Sequence, residues 1–88
     1  MGVFAIIASN DKVVADRITD KIQPKDFYRA DGHVWFVCAP TEVVTTKELS
    51  DFLNISSGAA GRVIVMHVTS YYGYHERELW DWLQIKGS

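Results

Sequence analysis

Three short apolar runs constrain this chain more than any other feature: Val3-Phe4-Ala5-Ile6-Ile7-Ala8, then Val34-Trp35-Phe36-Val37-Cys38-Ala39, then Val63-Ile64-Val65-Met66. Each is brief, unbroken and rich in β-branched or aromatic residues, which is the mark of a strand covered on both faces. Side chains alternate along a strand. In the middle run Val34, Phe36 and Cys38 therefore point one way, and Trp35 and Val37 the other. A sheet built from these runs is apolar above and below, and both sides need a cover.

The intervening segments supply the rest of the pattern. Ser9-Asn10-Asp11 ends the first strand and provides N-cap chemistry for a helix over residues 12–22. Val14, Ile18 and Ile22 line one face of that helix, while Asp16, Arg17, Asp20 and Lys21 face water. Gln23-Pro24 stops it, because the residue before proline is pushed out of the α region. Phe27 to Ala39 reads as a hairpin turning at Asp31-Gly32, the pair favoured where both central residues need φ > 0. Thr45-x-x-Glu48 is a capping box ahead of Leu49, Phe52 and Leu53, so a second helix is expected over residues 46–54. Ser56-Ser57-Gly58-Ala59-Ala60-Gly61 is a connector, and no Gly-Lys-Ser/Thr follows to make it a phosphate loop. A fourth strand spans residues 62–68, a turn rich in tyrosine follows, and a last helix covers about residues 75–85.

The order β-α-β-β-α-β predicts an α+β, ferredoxin-like sandwich, with residues 1–88 as one domain. Right-handed crossovers place both helices on one face of a four-stranded antiparallel sheet of order 4-1-3-2. One face would then stay open, with more contiguous apolar surface than soluble monomers usually expose. A single C-terminal helix is a narrow lid for four strands. A two-fold homodimer, closing on the sheet face and the aromatic tail, is the expected solution. The expected partner surface is Trp35, Val37, Tyr71, Tyr72, Tyr74, Trp80 and Trp82.

Composition supports a folded domain of marginal stability. With 48% hydrophobic and 12% aromatic residues the chain is too apolar to be disordered, yet 88 residues make a small core. A formal net charge of −2 argues against a strongly electrostatic nucleic-acid binder. Lys12, Arg17, Lys21, Lys25 and Arg29 are matched by Asp11, Asp16, Asp20 and Asp26, which reads as a solvated, ion-paired helix face. The single cysteine, Cys38, excludes an internal disulfide and reads as an inert buried thiol. No run approaches the length of a membrane span, so a cytoplasmic protein without a membrane partner is expected.

The opening strand and helix, Val34-Trp35-Phe36-Val37, Thr46-Lys47-Glu48-Leu49-Ser50-Asp51-Phe52-Leu53, Arg62-Val63-Ile64-Val65-Met66 and Trp80-Asp81-Trp82-Leu83 together carry a resemblance. The chain resembles the small ferredoxin-like proteins related to the CRISPR-associated adaptation scaffold family, which includes VapD-related members, and within them the short bacterial proteins called SinR-like. The resemblance implies a homodimeric accessory protein of a bacterial or phage system. In some members of that family a Tyr-Asp at the tip of the first strand goes with metal-dependent nuclease activity. The matching positions here read Ala8-Ser9, and serine is a poor ligand for a hard cation beside a carboxylate.

Other chemistry is sparse. His33, His67 and His75 are too scattered for a metal site by spacing, and no metal or cofactor is expected. His67 shares a strand face with Val63 and Val65 and reads as a half-buried structural histidine. The alternative to a non-catalytic scaffold is a nucleic-acid-binding protein or divalent-dependent nuclease. It would use Ser9, Asn10 and Asp11, with His67 from the neighbouring strand, and Lys12, Arg17 and Lys21 for the backbone of the nucleic acid. Tyr71-Tyr72-Gly73-Tyr74 would glue the last helix or a partner subunit in the first reading, and stack bases in the second.

Overall fold

A computed structural model describes residues 2–87. The elements run β1 (Val3–Ala8), α1 (Asp11–Lys21), β2 (Phe27–Asp31), β3 (Val34–Cys38), α2 (Thr46–Phe52), β4 (Val63–His67) and α3 (Arg77–Gly87), with single 3-10 turns at Pro24–Asp26 and Gly58–Ala60. All strand pairs are antiparallel in the order β2-β3-β1-β4. This is the expected ferredoxin-like order, with an additional C-terminal helix.

Register explains the layering. Phe4 lies opposite Val37 and Ile6 opposite Trp35 on one side of β1, while Phe4 lies opposite His67 and Ile6 opposite Val65 on the other. These even-numbered residues of β1 point at α1 and α2. There Phe4, Ile6, Trp35 and Val37 pack with Val14, Ile18, Leu49 and Leu53 into the main core. The opposite parity (Val3, Phe36, Tyr28) meets Leu79 and Leu83 of α3 in a second, smaller cluster. Trp35 and Val37 are 1% and 0% exposed. They belong to the inner core under α1 and α2, which corrects their expected place on a partner surface.

Local chemistry sets the helix ends. Asn10, rather than Asp11, caps α1: its side chain accepts from the Val13 N–H at 3.3 Å. Asp11 is the first helical residue and pairs with Arg29 of β2 at 3.0 Å. The capping box of α2 is complete, with Thr45 Oγ1 accepting from the Glu48 N–H at 3.1 Å and Glu48 Oε1 accepting from the Thr45 N–H at 2.9 Å. The helix stops at Phe52, two residues before the expected end. Asn54 takes the left-handed conformation (φ 57°) that commonly closes a helix.

The hairpin differs from its expected form. Its central residues are Gly32 and His33, and neither Asp31 nor Gly32 has positive φ. The register shifts between Arg29 and Asp31, so a bulge absorbs the twist that a type I′ turn would have supplied. Arg29 braces this end of the molecule, donating to the Gly32 carbonyl at 2.8 Å and lying over the Trp35 ring, 4.9 Å from its centroid.

The α2 cap makes one stability dependence specific. Main-chain N–H groups of Val44 and Thr45 hold the Glu48 carboxylate below its ordinary pKa. A carboxylate depressed in the folded state contributes fully above the unfolded value and loses that contribution as pH falls through the folded one. The thermal midpoint is therefore expected to fall on acidification below the ordinary carboxylate range, and less steeply in Glu48→Gln. Parallel acid limbs for the two proteins would contradict this role.

Candidate functional site

The cluster of the alternative, nuclease reading does not assemble. Ser9 sits just beyond the C-terminal end of β1 and His67 lies opposite Phe4 at the other end. Five residues of strand separate these positions, about 17 Å at ~3.3 Å per residue. Neighbouring strands guarantee lateral closeness, not equal height. His67 is exposed instead of half-buried, with its ring tilted against Phe4 at 5.0 Å.

Ser9 has a structural task. Its hydroxyl accepts from the Arg62 N–H at 3.0 Å, and its own N–H donates to the Arg62 carbonyl at 2.9 Å. Gly61 passes so close that an added Cβ would stand 3.0 Å from Ser9 Oγ, and its φ of +82° independently favours glycine. The Asp11 carboxylate is engaged by Arg29 and Asn10 by the helix cap. Among the described residues no group of three His, Cys, Asp or Glu side chains is placed to hold a metal ion. Ser9, Asn10 and Asp11 are thus each engaged in a structural contact at the tip of β1.

The basic residues of α1 do not form the ion-paired face expected of them. Among the described residues the ion pairs are Arg29–Asp11, Lys47–Asp51, Arg77–Asp81 and Lys86–Asp26, which leaves out Lys12, Arg17 and Lys21. Lys21 instead lies over the Phe52 ring at 5.8 Å. Cys38 is buried, and loss of solvation, followed by the nearby Asp26 carboxylate, raises its pKa so that the thiol stays protonated.

The second sheet face carries the molecule's distinctive surface. Helix α3 begins at Arg77, later than expected, and lies across β2, β3 and the start of β1. Trp82 Nε1 donates to the Lys25 carbonyl at 3.1 Å, and Lys86 Nζ meets Asp26 Oδ1 at 2.9 Å. Trp82 also tilts against Tyr28 at 6.3 Å. The lid is as narrow as expected. On the β1–β4 side Ile7, Ile64 and Met66 remain 42%, 60% and 41% exposed.

The tyrosine segment is an extended loop with a bend at Gly73. Tyr71 stacks on Trp80 at 5.7 Å and so helps hold α3. Tyr72 and Tyr74 are fully exposed. Between this loop, Val34, Phe36 and Leu83 runs an open apolar groove of about 330 Å³.

Of the residues first assigned to a partner surface, Tyr71, Tyr72 and Tyr74 lie on the outside, Trp80 and Trp82 are half-buried in holding α3, and Trp35 and Val37 are interior. Ile7, Ile64 and Met66 are not distinguished by composition, because each lies inside an apolar run. Alternation within each strand, which sets Ile7 against Ile6 and Ile64 and Met66 against Val63 and Val65, is the signal that separates them. No protein-family model matches the chain, and no curated protein matches it. No helix among the described residues is long and apolar enough to cross a membrane.

Proposed function

We propose that this protein is a non-catalytic homodimeric interaction module, a small accessory protein of a bacterial or phage system as its family resemblance implies. The observation that carries the proposal is the half-covered sheet face. Helix α3 roofs β2, β3 and the start of β1, while Ile7 at the end of β1 and Ile64 and Met66 of β4 stand open. A contiguous exposed apolar strip on a small domain marks a contact surface, and a second copy supplies an identical strip.

Charge placed in that strip tests the proposal. Ile64 is 60% exposed, so Ile64→Lys leaves the monomer's core intact and is expected to change its stability by no more than about 0.5 kcal/mol. In sedimentation velocity the wild type is expected as a dimer and Ile64→Lys as a folded monomer. An Ile64→Lys protein that sediments with wild-type mass would remove this surface from the interface.

A further inference from the structure

The main-chain bonding of β4 has a parity that identifies a more specific contact. Ser9 N–H donates to the Arg62 carbonyl at 2.9 Å, and Val68 N–H donates to the Val3 carbonyl at 2.8 Å. In an antiparallel ladder, residues bonded to a given neighbour recur at every second position. With Ile7 opposite Ile64 and Ala5 opposite Met66, residues 62, 64, 66 and 68 turn their main-chain groups toward β1. Val63, Val65 and His67 turn theirs outward. The sheet ends at β4, and among the described residues no main-chain partner lies beyond it.

The two sheet edges are treated differently. The β2 edge carries a bulge between Arg29 and Asp31, has those two charges along its length, and is anchored to α3 through the Lys25 carbonyl and Asp26 just before it. These are the devices that blunt an edge against pairing. The β4 edge reads Val63-Ile64-Val65-Met66-His67, without proline, glycine, lysine or bulge.

We propose that the β4 edge pairs antiparallel with the β4 edge of a second copy about a two-fold axis at Val65, joining two sheets into one of eight strands. The inference rests on the dimeric reading above and specifies how the copies meet. An axis at Val65 sets Val65 opposite the partner's Val65, and Val63 opposite the partner's His67. All three outward residues then take part, with two main-chain bonds per pair. An axis moved by one residue leaves His67 or Val63 without a counterpart in the strand.

Side chains and charge fit the same register. Ile64 faces the partner's Met66 on the open side of the sheet, so the exposed strips of the two copies merge. The two Arg62 side chains flank the axis from opposite ends, about 20 Å apart along the strands, and do not repel at contact range. A stable interface buries about 800 Å² per partner, more than a strand about 17 Å long provides by itself. Flanking groups must therefore join it. Ile64 and Met66 do so on one side, and Thr46, Lys47 and Ser50, which line a shallow groove with Val63 and Val65, on the other.

Val65→Pro separates this contact from the rest of the fold. It deletes an N–H that points outward, and proline is tolerated in edge strands at such positions. The β1–β4 ladder keeps its bonds. The wild type is expected as a dimer in the high micromolar range and Val65→Pro as a folded monomer. A wild-type dimer with a dimeric Val65→Pro protein overturns edge pairing but leaves dimerisation through the open face standing. A wild-type monomer overturns both. Amide hydrogen exchange of the wild type decides the matter if Val65→Pro fails to fold. Val63, Val65 and His67 are expected to exchange about a hundredfold more slowly in the dimer than after dilution to monomer. Equal rates at both concentrations would refute the edge contact.

Discussion

Trp35→Ala is expected to bring the whole chain to the brink of unfolding. Trp35 is the largest fully buried side chain, 1% exposed. It sits in β3 opposite Ile6 on one side and Arg29 on the other. Removing a buried aromatic costs about 3–5 kcal/mol through lost burial and the cavity left behind. Domains carry roughly 0.05–0.15 kcal/mol of stability per residue, and 88 residues place this one at the small, marginal end. The Arg29 guanidinium loses its aromatic face as well. Urea unfolding followed by circular dichroism should show the transition displaced to very low denaturant or absent. A Trp35→Ala protein with near-wild-type stability but halved mass would instead return Trp35 to a partner surface, against its burial.

Leu83→Ala is expected to act with comparable local force and a different outcome. Leu83 is 2% exposed and packs with Leu79 and Val3 in the smaller cluster. Its truncation removes about 2–5 kcal/mol from an element whose other anchors are few: the Trp82–Lys25 bond, the Lys86–Asp26 pair and the Tyr71–Trp80 stack. Elements held by a separate cluster open at lower free energy than the central core. Helix α3 should therefore detach while β1 and β3 stay paired. Hydrogen exchange is expected to show loss of protection in the second and third turns of α3 with β1 amides still slow. Light scattering should rise, because a detached α3 uncovers Phe36 and Val3 on a face already open at Ile64. Uniform loss of protection through the sheet would show that α3 belongs to a single cooperative unit.

Much of the architecture was legible because local signals and global pattern agreed. The three apolar runs, the hairpin signal of Asp31-Gly32, the Thr45–Glu48 box and the Pro24 stop place four strands and two crossover helices, and the order of elements then leaves few sheet topologies. Orientation was less legible. Alternation in β3 separates Trp35 and Val37 from Val34 and Phe36, but both sets are apolar, and only the crossover geometry decides which set meets α1 and α2. The turn is ambiguous in the same way: Asp31-Gly32 has the favoured composition, yet the chain shifts register before it and turns one residue later.

The candidate site was legible only in outline. An uncovered apolar face follows from counting layers, and α3 proves as narrow a lid as its length implied. Which residues stay wet depends on where α3 lies across the strands. Trp82 and Lys86 settle that by anchoring it to the segment before β2, and no spacing in the sequence announces those contacts. The supposed cluster of Ser9, Asp11 and His67 failed because adjacency of strands says nothing about position along them. Ser9 turned out to serve Arg62 and the close passage of Gly61.

The mass of the wild-type protein in solution tests the dimer most directly. Sedimentation equilibrium across the micromolar range is predicted to yield a reversible species of twice the 10.0 kDa chain mass. A single species of chain mass at every concentration would contradict it.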